Sequence, residues 1–293
     1  MLFRRFLDLL VDQRFPWLFY KQLFIKNKLN NEASKKIRVA ITFDVEQDNN
    51  SEAKKSLTKA KSFLEIISEI LKAKPATFFI QGDLVAELGK ELAFLQKKHE
   101  LGLHGFSHNR LWGKPVWFLK DKPLNKKEKE IFIKKSLENF SRARLSKPQS
   151  FRAPNMVIDG ETIKILNKYG FKVDSSFSSF RNFSLPFIKE GVLEIPVSNL
   201  FQPRIRFIKL VPVLDFQVLN IENLKRSIKK NWQENIWQMV KFSQHNFLVF
   251  LAHSWDFNKQ VFQNFIDFLE DNWQVRYLTI QELAGELLKK IHE

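Results

Sequence analysis

The chain has no cysteine among its 293 residues, and only six of those residues are histidine. Without thiols it can form no disulfide, zinc finger, iron–sulfur cluster or thiolate nucleophile. Any catalytic metal must therefore bind histidine nitrogens and carboxylate oxygens. Glycine and proline are few, at 9 and 10, while 44% of the residues are hydrophobic. This composition excludes collagen-like, low-complexity and disordered chains, and it predicts a globular protein long enough to bury its own core.

Long apolar runs are also missing. A membrane-spanning helix needs about 18 uninterrupted apolar residues, and a signal peptide needs an apolar core before a small-residue cleavage site. Near the start, apolar residues recur at helical spacing, at Phe3, Phe6, Leu7 and Leu10. This spacing predicts an amphipathic helix that ends before Pro16, within a basic N-terminal segment at residues 1–36. The helix either packs on the rest of the protein or binds anionic membrane peripherally through residues 1–28. We expect a cytoplasmic protein.

Acidic residues are outnumbered 32 to 48 by lysine and arginine, which gives a net charge of +16. Such an excess attracts anionic partners, although a solvated lysine-rich surface would carry the same charge. The sequence has no RNP-type aromatic motif, zinc finger or basic heptad region, so nucleic acid is not expected as a partner.

From residue 37 onward, short β-branched runs alternate with helical patterns, which indicates β/α units around a parallel sheet. The predicted strands are Arg38–Phe43, Ala76–Ile80, Leu101–His104, Gln149–Arg152, Lys172–Asp174, Leu193–Val197, Phe247–His253 and Arg276–Thr279. Helices are predicted near 53–73, 83–98, 127–144, 161–169, 223–244, 259–272 and 281–291. Eight strands in this length favour a barrel over an open sheet. No linker divides residues 37–293, and two irregular segments, 110–126 and 199–220, are expected at the rim of the site.

Polar side chains follow several of these strands, where catalytic groups collect in β/α barrels. Asp44 and Glu46 lie two apart at the end of the first strand and share one face of it. His104 and His108 follow the third strand and can offer both imidazoles to one ion. An acidic turn or a structural histidine pair would explain either set alone.

Three further strand ends carry Arg152, Asp174 and His253. Charged side chains at the ends of apolar strands need partners, and an ion pair could explain any one of them. Together with the strand ends that carry Asp44 and His104, five strand ends have polar side chains. Ion pairing alone is a much weaker explanation for all five.

In this order the motifs resemble those of the polysaccharide deacetylases with a NodB-homology domain, carbohydrate esterase family 4, over about residues 37–290. The matching motifs are Thr42-Phe43-Asp44-Val45-Glu46, His104-Gly105-Phe106-Ser107-His108, Arg152-Ala153-Pro154, Asp174-Ser175-Ser176 and Leu251-Ala252-His253. The resemblance implies an α/β fold, a deformed (β/α)7-8 barrel, in a catalytic domain at residues 37–293. It also implies a hydrolase that uses one divalent metal ion, with zinc expected, to remove an N-linked acetyl or formyl group from an amino sugar.

The same resemblance implies a role for each site residue. Glu46, His104 and His108 would bind the metal, Asp44 would be the base, Arg152 would hold Asp44, His253 would be the acid, and Asp174 would tune His253. The commonest pattern in the family has adjacent aspartates, whereas this chain has Asp44-Val45-Glu46. The longer side chain of Glu46 can reach the same ion.

Three alternatives remain open from the sequence. The substrate is either a glycan or a lipid-linked sugar intermediate at the membrane, and the basic N-terminal segment suits the latter. The same barrel could hydrolyse a small amide that is not a sugar. The chain could also be an inactive glycan-binding protein, because a fold does not imply an activity.

Overall fold

The computed structural model describes residues 36–47, 53–109, 111, 123–177, 186–198, 205–208, 211–214, 233, 236, 240 and 247–289. The predicted N-terminal helix, most of the two irregular segments and nearly all of the helix expected near 223–244 lie outside these residues. The division of the chain at residue 36 stays a prediction.

The described residues form eleven strands and six α-helices. The strands are β1 Lys36–Val45, β2 Thr77–Ile80, β3 Glu100–Leu103, β4 Ser150–Phe151, β5 Val173–Asp174, β6 Phe187–Lys189, β7 Val192–Glu194, β8 Ile205–Ile208, β9 Val211–Leu214, β10 Phe247–His253 and β11 Gln274–Tyr277. The helices are α1 Ala53–Leu71, α2 Gly89–Leu95, α3 Lys126–Arg142, α4 Gly160–Lys168, α5 Lys259–Asn272 and α6 Ile280–Lys289, with 3-10 turns at Pro154–Met156 and Ser254–Asp256.

A single curled sheet organises the molecule. Its strand order is β10-β1-β2-β3-β4-β5-β7-β6, and β11 pairs with the first half of β1. All neighbours are parallel except β6, which runs antiparallel to β7. After β7, the backbone N–H of Ser198 donates to the carbonyl of Val249 in β10 at 3.0 Å, which joins the far part of the sheet to its first strand. The expected deformed α/β barrel is therefore confirmed.

Side chains of β1 alternate between two buried clusters. Odd-numbered residues such as Phe43 pack under the helices, where the ring of Phe43 lies 5.3 Å from Phe63 of α1 and 5.8 Å from Phe262 of α5. On the opposite face, Ala40 belongs to the second cluster, which also contains residues of α6 such as Leu283. Because strand side chains alternate with a period of two, the same alternation sets Asp44 and Glu46 on the face of Ala40.

The predicted strands are found close to their expected bounds, and β10 and α5 begin and end at the predicted residues. The short antiparallel β6 and the β8–β9 hairpin were not predicted, because their pairing depends on neighbours distant in sequence. The helix expected at 83–98 is wrong in extent, since its first half is a series of turns and only Gly89–Leu95 is helical.

None of the helices in the part of the chain that the structure describes is long and apolar enough to cross a membrane.

Candidate active site

The carboxyl ends of the parallel strands meet at one end of the barrel, and they bring the sequence-predicted residues to this end. Asp44 of β1 lies directly opposite His253 of β10 in the parallel register. His104 follows β3, Arg152 follows β4, and Asp174 ends β5. Residues separated by up to about 200 positions in sequence thus lie at one edge of the sheet.

Glu46, His104 and His108 form a compact group whose ligand atoms all lie within 4.8 Å of one another. The Oε2 atom of Glu46 is 2.9 Å from Nε2 of His104 and 2.8 Å from Nε2 of His108. Among the residues that the structure describes, Glu46, His104 and His108 are the group whose ligand atoms are close enough together to bind one divalent ion. Two histidines and a carboxylate are also a common set of three protein ligands for such an ion.

A backbone contact of His104 sets the tautomer of its neutral ring. Its Nδ1 atom lies 3.0 Å from the carbonyl oxygen of Arg152. Because that oxygen can only accept, Nδ1 carries the proton, and Nε2 of the neutral ring presents a lone pair. The lone pair faces the Oε2 atom of Glu46, which is also an acceptor. A proton or a metal ion must therefore lie between them, and two imidazoles and a carboxylate suit zinc and other first-row divalent ions.

Electrostatics favour ionised Glu46. Burial alone would raise the pKa of its carboxyl, but hydrogen bonds and charge from His104 and His108 outweigh burial and lower this pKa far below its ordinary value. Burial lowers the pKa of His108, but the adjacent Glu46 carboxylate more than compensates, and the net pKa of His108 is raised. The Glu46 carboxyl is therefore held in its ionised form, which is the form that a metal ligand needs.

The loop from His104 to His108 is held in an unusual backbone conformation. Gly105 and His108 have positive φ angles of 65° and 54°. A side chain at Gly105 would meet Pro154 at 2.9 Å, so glycine is required for both space and conformation. His108 bears a cost of order 1–3 kcal/mol for its left-handed backbone. The ring of Phe106 stacks on Phe132 of α3, with centroids 5.1 Å apart, and anchors the loop.

Arg152 is fully buried and links three strand ends. Its Nη1 atom donates to Oδ1 of Asp44 at 2.9 Å and to Oγ1 of Thr42 at 2.8 Å. Its Nε and Nη2 atoms donate to the carbonyl and hydroxyl oxygens of Ser175, at 2.9 and 3.0 Å. The guanidinium lies over the ring of Phe79, 4.3 Å from its centroid. These contacts fix the guanidinium, and the guanidinium in turn orients the Asp44 carboxylate.

Asp174 is buried beside a second acid that the sequence did not single out. Its position in β5 lies opposite Glu194 of β7 in the parallel register, and the two buried carboxyl groups interact directly. Burial raises both pKa values, that of Asp174 to about 6 and that of Glu194 well above its ordinary range. Two buried carboxyl groups in contact cannot both ionise readily, so the pair shares a proton near neutral pH. Glu194 could have been found from the sequence, because it is an acidic residue within the apolar run Val192–Val197.

Asp174 also supports the third motif. The hydroxyl of Ser176 donates to Oδ1 of Asp174 and accepts the backbone N–H of Ala153, which is 2.8 Å away. Asp174 therefore helps to hold the chain next to Arg152. The expected tuning of His253 by Asp174 stays a prediction.

His253 lies at the edge of the group, with 20% of its side chain exposed and its Nε2 atom 3.9 Å from Oε1 of Glu46. Trp255 follows in the 3-10 turn, and its Nε1 atom donates to the same Oε1 at 3.1 Å. Trp255 was not predicted from the sequence, although its position two residues after a strand-end histidine was a signal.

An α/β barrel in which a carboxylate and two histidines converge at the carboxyl ends of the strands defines a class of barrel proteins with a candidate metal site. Comparison with protein families narrows this class, because residues 31–173 match the family model described as polysaccharide deacetylase. The resemblance inferred from the motifs is therefore confirmed over these residues. Asp174 and His253 lie beyond the matched residues.

Several solved structures share the fold of this chain. A candidate polysaccharide deacetylase from Mycobacterium smegmatis is 17% identical, with a TM-score of 0.65 over 88% of this chain and 92% of that one. A carbohydrate esterase family 4 pseudoenzyme from Bacillus anthracis is 18% identical, with a TM-score of 0.50 over 85% and 65% of the two chains. A 4-alpha-glucanotransferase from Thermococcus litoralis is 14% identical, with a TM-score of 0.57 over 87% and 40%. At these identities the likeness concerns the fold alone. No curated protein matches the sequence significantly.

Proposed function

We propose that the protein is a metal-dependent hydrolase that removes an N-linked acetyl or formyl group from an amino sugar in a polysaccharide or a glycan precursor. The observation that carries the proposal is the convergence of Glu46, His104 and His108, whose ligand atoms all lie within 4.8 Å of one another. The family match to the polysaccharide deacetylases supports the reaction type.

Glu46, His104 and His108 hold one divalent ion, with zinc as the expected metal. Such an ion, when bound, polarises an acyl carbonyl and lowers the pKa of a water molecule. The carbonyl of Arg152 fixes the His104 ring so that its Nε2 lone pair stays directed at the site.

Asp44 is the general base that accepts the proton of the attacking water. Its ion pair with Arg152 at 2.9 Å holds the carboxylate in one orientation, so the proton acceptor is positioned before the substrate arrives.

His253 is the general acid that protonates the leaving amine nitrogen. Its partly exposed ring lets it reach a substrate at the mouth of the barrel, and imidazole titrates in the range that suits this step. Asp174 orients His253 in this proposal, in addition to holding the third motif through Ser176.

The first test measures metal content and amine release from N-acetylated chito-oligosaccharides by the purified protein. We expect one divalent ion per chain, lost in His104→Ala, and activity lost in both His104→Ala and Asp44→Asn. Asp267→Asn, on the exposed face of α5, is the matched control and keeps both properties. Absence of bound metal from the wild-type protein under all conditions would refute the proposal and favour an inactive glycan-binding protein.

The net charge of +16 favours a second substrate class, a lipid-linked amino sugar at an anionic membrane. This candidate predicts metal binding and no amine release from soluble oligosaccharides. It also predicts release from a polyprenyl-phosphate-linked N-acyl sugar in vesicles that contain anionic lipid.

A further inference from the structure

The 3-10 turn after β10 contacts Glu46 at both its backbone and its side chain. The hydroxyl of Ser254 lies 3.4 Å from both the backbone nitrogen and the carbonyl oxygen of Glu46. The indole Nε1–H of Trp255 donates to Oε1 of the Glu46 carboxylate at 3.1 Å. One short segment therefore fixes both ends of this residue.

These contacts divide the two carboxylate oxygens between different partners. Oε1 accepts from Trp255, while Oε2 faces the Nε2 atoms of both His104 and His108. A glutamate has one more rotatable bond than an aspartate, so its free side chain can place the carboxylate in more orientations, many of which would turn it away from the histidines. Because an indole N–H can only donate, its bond to one oxygen fixes the orientation of the carboxylate, in which the other oxygen points at the histidines.

We propose that Trp255 is a positioning residue that makes Glu46 an effective metal ligand, an inference that rests on the metal site of the proposed function. The indole ring also lies beside the imidazole of His253, with centroids 5.0 Å apart at an angle of 32°. Trp255 therefore connects the metal-binding carboxylate with the general acid and fixes their relative position.

The environment of Trp255 argues against a role in core packing alone. It is half-buried at the site, whereas Trp273 is buried in the core, where it packs edge-on against Phe268 at 5.7 Å. The polar edge of Trp255 meets a buried charged oxygen, and hydrogen bonds to charged groups are stronger than those between neutral groups.

The test compares Trp255→Phe, which keeps an aromatic ring and removes the N–H, with Trp273→Phe as the control. Zinc affinity is measured by competition with a chromophoric chelator. The visible spectrum of the cobalt-loaded protein reports the ligand field of the metal. Thermal unfolding measures the stability of the apoprotein. Loss of a partner that orients a metal ligand weakens metal binding by roughly 10- to 100-fold. We expect weaker zinc binding and an altered cobalt spectrum in Trp255→Phe. Trp273→Phe can be less stable than the wild-type protein, but its zinc affinity and cobalt spectrum should be unchanged.

Equal zinc affinity and identical cobalt spectra in wild type and Trp255→Phe would overturn the inference while leaving the proposed function intact. If the wild-type protein bound neither ion, the proposed function would fail, and the inference would fail with it. If Trp255→Phe does not fold, a second measurement on the wild-type protein tests the same inference. In the wild-type protein, the indole N–H resonance of Trp255 should shift on zinc titration, and an unchanged set of indole resonances would contradict the proposal.

Discussion

Arg152 and Asp44 form an ion pair of 2.9 Å in which the two side chains are 0% and 2% exposed. The pair joins β4 to β1, which are separated in the sheet by β2 and β3. Because neither charge reaches water, each depends on the other for solvation. The base of the proposed reaction and the stability of the barrel therefore depend on the same contact.

This dependence predicts a large effect of Arg152→Met on stability. The variant leaves Asp44 as a buried carboxylate without its cation and also removes the donors to Ser175, so we expect a loss of about 3–5 kcal/mol in the free energy of unfolding. Urea denaturation measures this loss of unfolding free energy. The matched control is Arg142→Met, because Arg142 is exposed and its pair with Glu138 spans 3.8 Å, and its loss should be below about 1 kcal/mol. Equal losses in the two variants would show that the buried pair has no special role.

Metal loading should stabilise the folded protein, since Glu46, His104 and His108 converge only in the fold. At a zinc concentration 100-fold above the dissociation constant, linkage gives about 2.7 kcal/mol of added stability. The measurement is thermal unfolding with zinc and with chelator. We expect a higher melting temperature with zinc in the wild-type protein and in Asp267→Asn. His104→Ala should melt at the same temperature in both conditions, and a zinc-dependent shift that persists in this variant would place the ion elsewhere.

Much of this site could be predicted from the sequence because each motif is local. Strand periodicity placed Asp44 and Glu46 on one face, and the spacing of His104 and His108 indicated a shared ion. The strand ends at Arg152 and His253 were also located correctly. What made these predictions work is that the carboxyl ends of parallel strands meet wherever the strands lie in the chain.

The contacts missed from the sequence depend on strand order and on side-chain rotamers. Glu194 becomes a partner of Asp174 only because β7 pairs with β5, with β6 on the outer edge, and periodicity does not reveal that order. Trp255 reaches Glu46 through a 3-10 turn whose course is set by tertiary contacts. The predicted extent of α2 was wrong because tertiary contacts hold residues 82–88 in turns. In one of these contacts, the backbone N–H of Gly82 donates to the carbonyl of Gly105 at 2.9 Å.

The buried Asp174–Glu194 pair predicts a loss of stability as the pH rises. Asp174 keeps its proton in the fold up to about pH 6, whereas an ordinary aspartate loses it near 3.8. Between these values the unfolded chain binds fewer protons than the fold, so the free energy of unfolding falls with rising pH, and Glu194 extends this fall upward. Glu194→Gln, which resembles the protonated acid, should flatten the slope in urea denaturation from pH 4 to 8. Glu190→Gln, at an exposed position, is the control, and an equally steep slope in Glu194→Gln would contradict the shared proton.

His99 predicts an opposite dependence at acid pH. Burial, with a smaller contribution from the charge of Lys98, lowers the pKa of this imidazole from 6.5 to about 4. Its ring lies 5.5 Å from that of Phe78, and its Nδ1 atom is buried without a hydrogen-bond partner in the described structure. As the pH falls from 6.5 to 4, the unfolded chain takes up a proton that the fold excludes, so stability decreases over this window. His99→Phe removes this titration and keeps a ring against Phe78. We therefore expect the difference in unfolding free energy between His99→Phe and wild type to shift in favour of the variant between pH 7 and pH 4.5. His99→Gln, which also lacks the titration, should show the same pH-dependent shift from its own baseline, and a constant difference across the range would show that His99 binds its proton equally well in both states.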